Sequence, residues 1–95
     1  MDKVEKKIKD IILNNLESDN KYRLFIFGSR VSGTPRKYSD YDIGIEGKDM
    51  IPFPVLVKIK IALQDSDLPY KVDVVDFSTV SDDFRKQALK NTKKL

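Results

Sequence analysis

The run Leu24-Phe25-Ile26-Phe27-Gly28-Ser29-Arg30, followed after a polar stretch by Ser39-Asp40-Tyr41-Asp42-Ile43-Gly44-Ile45, decides the fold of this chain. Arg23 to Phe27 reads as a strand, apolar on both faces and therefore central in its sheet. Gly28 permits a sharp turn and a close approach of backbone to a ligand. Tyr41 to Glu46 reads as a second strand, with Gly47 closing it. Asp40 and Asp42 are two residues apart, so a strand turns them to one face and turns Ile43 and Ile45 to the other. Residues 28 to 39 read as a turn, a short helix start and a polar loop carrying Gly33 and Pro35.

Outward from that core, helices and strands alternate. Asp2 is placed to cap a first helix, with Glu5 as capping-box partner. Val4, Ile8, Ile11, Ile12 and Leu16 form its apolar stripe, and Ser18-Asp19-Asn20 ends it. Phe53 to Gln64 carries both periods. A helix is favoured, because a crossover between strands needs one and Pro52 or Pro54 suits its start. Val57 and Ile61 then fall off its apolar face. Val72 to Phe77 is a third strand. Ser81 caps a last helix, with Asp82 and Asp83 in its first turn and Phe84, Ala88 and Leu89 inward. Lys86, Lys90, Lys93 and Lys94 read as a solvated helix end.

Composition narrows the chemistry. The chain has 95 residues and reads as one domain over 1–95. Cysteine and histidine are both absent. Thiol chemistry, disulfides, His-based triads and histidine zinc sites are thereby excluded, and the lack of cysteine suits the reducing cytoplasm. No apolar run is long enough to span a bilayer. The N-terminal residues are charged and amphipathic, unlike a signal peptide. The net charge of +3 suits a polyanionic ligand such as a nucleotide without implying direct nucleic-acid binding. Carboxylates, hydroxyls, Lys, Arg and a hard metal remain as the working groups.

Those groups fall into a pattern. Gly28-Ser29 at a strand end offers a hydroxyl and helix-start amides to an anion, and Arg30 adds a cation. Asp40 and Asp42 repel each other unless a cation sits between them, and Mg²⁺ is suited to that place. A third acid comes from the Val72–Phe77 strand. Asp73 and Asp76 lie on opposite faces there, so only one can join the pair, and periodicity alone leaves both open.

Gly28-Ser29, ten residues, then Asp40-Tyr41-Asp42, preceded by an apolar strand, resembles the minimal nucleotidyltransferases (MNT) of the DNA polymerase β-like superfamily. Gly28-Ser29-Arg30-Val31-Ser32-Gly33 and Ser39-Asp40-Tyr41-Asp42-Ile43 resemble the family's two signature segments. Val72-Asp73-Val74-Val75 stands where its third acid is expected, which favours Asp73 over Asp76. The resemblance implies an α/β (α+β) fold, a small mixed sheet flanked by helices. It also implies Mg²⁺-dependent transfer of a nucleotide, with Asp40, Asp42 and Asp73 as catalytic and metal-holding residues. Gly28, Ser29 and Arg30 would then hold the phosphates of ATP, with Arg30, Arg36 or Lys37 neutralising pyrophosphate. Small members resemble the antitoxin halves of HEPN/MNT pairs, so the implied reaction is AMP transfer from ATP to a tyrosine of a helical HEPN toxin. A homo- or hetero-oligomer is compatible with this. The alternatives are a non-catalytic module that neutralises a helical partner by covering it, and a small-molecule nucleotidyltransferase of the aminoglycoside type. The short length disfavours the latter.

Overall fold

The computed structural model describes residues 2–16, 21–31 and 40–95. The expected loop residues Gly33, Pro35, Arg36 and Lys37, and the Ser18-Asp19-Asn20 run, lie outside them. The elements run α1 (Lys3–Asn15), β1 (Tyr22–Phe27), a 3₁₀ turn (Gly28–Arg30), β2 (Tyr41–Gly47), α2 (Phe53–Gln64), β3 (Val72–Asp76), α3 (Asp82–Ala88) and β4 (Lys93–Lys94).

The four strands form one sheet in the order β3-β2-β1-β4. β1 is antiparallel to both β2 and β4, whereas β2 and β3 are parallel. A parallel pair needs a crossover, and the ambiguous segment supplies it as helix α2. Pro52 precedes the helix and Pro54 lies in its first turn, where a missing N–H costs nothing.

Strand alternation divides the core in two. Leu24 and Ile26 of β1, Ile43 and Ile45 of β2 and Val74 of β3 face one way. They are covered by Ile8, Ile12 and Leu16 of α1 and by Ile59 and Leu63 of α2. Phe25, Phe27 and Phe77 face the other way and pack with Val75, Ala88 and Leu89 under α3. The α3 side is the thinner layer. Phe84 meets Phe27 edge-on and Phe77 at a tilt yet stays 42% exposed. Ile61 of α2 is exposed, as its position off the apolar face implies, whereas Val57 is half-buried.

Two readings of the ends are corrected. The Asp2 carboxylate does cap α1, accepting from the Glu5 N–H at 2.8 Å. The reciprocal half of the capping box is replaced: the Glu5 carboxylate is buried and accepts from Lys93 Nζ at 2.8 Å. Lys93 and Lys94 are therefore not a solvated helix end. α3 stops at Ala88, and the two lysines pair with Ile26 and Phe25 as β4, followed by buried Leu95. A two-residue strand has too short a pattern for any period to register. It is fixed by the Glu5 ion pair and by the Leu95 N–H bonding to Leu24 C=O at 3.1 Å.

Gly44 sits at the middle of β2 on the aromatic side. A Cβ there would run into the Phe25 ring and lie 2.8 Å from Phe77 Cε1. Its bareness lets those two rings meet at 4.8 Å between centroids, edge to face. Gly44→Ala is expected to destabilise the protein by about 1–3 kcal/mol, seen as a fall in Tm of roughly 5–20 °C by calorimetry.

Candidate functional site

The pairing register builds the site. Phe27 of β1 lies opposite Asp42 of β2, and Asp42 lies opposite Asp73 of β3. Partners across a sheet point to the same face, so the end of β1, Asp42 and Asp73 form one row, about 4.8 Å apart from strand to strand. Asp40, two residues before Asp42, is exposed and immediately precedes β2. Asp73 thus shares the face of Asp40 and Asp42, and Asp76 does not. Asp76 is buried on the other face, where it accepts from the Ile51 N–H at 2.8 Å and from the Ser78 N–H and hydroxyl at 2.9 and 2.7 Å. Its carboxylate stitches the β2–α2 connection to the turn after β3.

At the head of the row the chain turns. Gly28 has φ +82°, a left-handed conformation that side-chain-bearing residues rarely adopt. A Cβ there would collide with Asp42 Oδ2 and lie 3.2 Å from Asp42 Cγ. The glycine is thus required twice, once by its own backbone and once by the carboxylate beside it. Ser29 follows, exposed. The Val31 N–H closes the turn on Gly28 C=O at 3.2 Å.

Arg30 takes an unexpected direction. Its guanidinium lies over the Tyr41 ring at 3.9 Å and over the Tyr70 ring at 4.6 Å from the centroids. Tyr41 alternates with Asp42 and belongs to the core covered by α1 and α2, and Tyr70 packs against that core. Arg30 is therefore directed to the face opposite the acids, where it ties the turn to the beginning of β2 and to the approach to β3. Neither tyrosine is singled out by the sequence reading. Tyr41 stands there only as the spacer of Asp-x-Asp, and nothing local distinguishes Tyr70. Burial pushes the Tyr41 phenol above its ordinary value, and Arg30 pulls it part of the way back.

Electrostatics identify Asp42 as the crowded acid. Burial raises its carboxyl above the ordinary carboxylate value, Asp73 and Asp40 raise it further, and Lys71 opposes them. Among the described residues no three acid side chains close into a ready metal cluster. The donor set nonetheless fits Mg²⁺, which is commonly held by one or two carboxylates with the remaining positions left to water and phosphate oxygens. Hard oxygen donors, like-charge crowding at Asp42 and the bare Gly28 beside it all suit a cation bridging protein and phosphate.

A carboxyl raised by folding stabilises the fold while protonated, and that stabilisation is lost as pH rises through its folded value. Ionised Asp42 is therefore a burden at neutral pH. Asp42→Asn is expected to raise Tm at pH 7, with the gain vanishing at about pH 3, where wild-type Asp42 is protonated as well. Added Mg²⁺ should raise Tm of the wild type and not of the variant; scanning calorimetry at the two pH values, with and without the metal, reads both effects.

Comparison with known proteins follows the same lines. Residues 6–95 match the family described as polymerase beta, nucleotidyltransferase. A Haemophilus influenzae protein described as a probable protein adenylyltransferase MntA is 42% identical over 81 residues, covering 85% of this chain and 69% of its own. Among solved structures, a toxin–antitoxin with AMP-PNP superposes with TM-score 0.75 at 27% identity, covering 95% of this chain and 70% of its own. The MNT antitoxin complexed with tri-AMPylated Shewanella oneidensis HEPN toxin gives TM-score 0.70 at 25% identity, with 96% and 67% covered. With its sheet order, its Gly28 turn and its row of acids all in place, the chain belongs to the polymerase β nucleotidyltransferase family.

Proposed function

We propose that this chain transfers AMP from ATP to a tyrosine hydroxyl of a HEPN-family partner protein and thereby acts as its antitoxin. The observation that carries this reading is the row of the Gly28 turn, Asp42 and Asp73 across three adjacent strands. The relative described as a protein adenylyltransferase and the AMPylated HEPN toxin bound by an MNT antitoxin support the choice of AMP and of partner.

In the proposed reaction, the acceptor oxygen bonds to the α-phosphorus, the α–β bridging P–O bond breaks and pyrophosphate leaves. Gly28 lets backbone approach the outer phosphates, and Ser29 donates its hydroxyl to them. Asp40 and Asp42, joined by Asp73, would hold Mg²⁺, which when bound neutralises the triphosphate and stabilises charge developing on its oxygens. Asp73, at the far end of the row, accepts the proton of the attacking hydroxyl, a task no histidine is present to do. Arg30 acts from behind, holding the turn through Tyr41 and Tyr70. ATP as substrate and the absence of cysteine both fit a cytoplasmic reaction. Among the described residues no helix is long and apolar enough to cross a membrane. Exposed Met50, Phe53 and Ile61 around α2 offer apolar surface to a helical partner.

Co-expression with a HEPN-family protein, followed by intact-mass analysis, tests the reading. The partner should gain adenylyl mass with the wild type and none with Asp40→Asn or Asp73→Asn. Ser29→Ala should weaken ATP binding by about 1.5 kcal/mol, roughly tenfold, in calorimetry. A stable complex without added mass, together with full neutralisation of the partner by the Asp40→Asn variant, would establish the non-catalytic module instead.

A further inference from the structure

In-line transfer brings the acceptor in from the side opposite the leaving group. If pyrophosphate leaves at the Gly28 turn, beside the end of β1, the acceptor arrives beyond Asp73. β3 is an edge of the sheet, and among the described residues no strand pairs with its outer side. Just there a cleft of about 530 Å³ opens between β3 and the C-terminal half of α2. Leu63, Leu68 and Tyr70 give it apolar walls, Lys60 and Lys71 bring positive charge, and Asp73 is the one acid on its lining among the described residues.

The backbone of β3 matches such a place. Lys71 C=O accepts from the Tyr41 N–H at 2.9 Å, and the Phe77 N–H donates to Ile45 C=O at 2.9 Å. Odd-numbered residues of the strand thus bond inward to β2. Alternation turns the N–H and C=O groups of Val72 and Val74 outward, to where an extended chain can pair with them.

We propose that this cleft seats the acceptor as an extended, acidic polypeptide segment, laid along β3 with its tyrosine turned over the edge to Asp73. The inference rests on the transferase reading and adds to it the route and the chemistry of the acceptor. Aromatic and aliphatic walls accept the side chains of the segment. Lys60 and Lys71 select aspartate or glutamate beside the tyrosine and disfavour lysine or arginine.

Two peptides with one tyrosine each, flanked by glutamates or by lysines, test this on the full chain with Mg²⁺ and a non-hydrolysable ATP analogue. Fluorescence anisotropy should show the acidic peptide binding roughly tenfold tighter. Its amide shift changes should centre on residues 60–74. Lys60→Glu should abolish the preference, and Gln64→Trp should block both peptides. Lys60 and Gln64 are exposed on α2 and belong to neither the row of acids nor the Gly28 turn, so both variants should bind the ATP analogue within about twofold of wild type. Equal affinity for the two peptides, or shifts confined to another surface such as the one around Phe53, would overturn the proposal. Failure of the transferase reading shows separately, as wild-type protein that binds no ATP analogue in the presence of Mg²⁺.

Discussion

The close approach of the Gly28 backbone to the Asp42 carboxylate is the constraint on which the rest of the structure depends. It requires a residue without Cβ at the end of β1, in a conformation that glycine alone adopts freely. It also requires β1 and β2 to pair in the register that sets Phe27 opposite Asp42. A slip of one residue would turn Asp42 into the apolar core beneath α1 and α2 and bring Ile43 out in its place. Core packing and the geometry of the site are thus enforced by one alternation, and neither can shift without the other.

The same approach is costly. Asp42 is partly buried, with Asp73 and Asp40 adding like charge and Lys71 opposing them. Stability is supplied elsewhere, by isoleucines fully buried between the sheet and α1 and α2 and by the cluster of Phe25, Phe27 and Phe77. Such a division is common where a site is organised for a charged ligand, because ligand and metal relieve the crowding that the empty protein tolerates.

Much of this was legible in the sequence because it rests on local period and residue type. The alternation from Asp40 to Ile45 showed which side of β2 is core, and Gly28 after an apolar run marked the turn. The helical face of α2 was readable once a crossover was required. Asp73 and Asp76 differed only in parity, and nothing local said which parity faced Asp42; the β2–β3 register, a long-range property, answers that. β4 was illegible for a similar reason. Two lysines carry no pattern, and their place is set by a glutamate 88 residues away in sequence. Arg30 read as a cation for phosphate from its place after Gly28-Ser29, and its stacking on Tyr41 and Tyr70 was illegible because those rings come from other segments.

That hold has a consequence for motion. Arg30 follows β1 directly, Tyr41 opens β2 and Tyr70 leads toward β3, and the two rings meet edge to face at 5.4 Å. The three segments that carry Gly28, Asp42 and Asp73 are therefore fastened behind the sheet at a single guanidinium. A fluctuation that lifts the turn must unstack both rings, so the three segments open as one cooperative unit rather than fraying separately. The working face thus draws its rigidity from a fastening on the other side of the sheet.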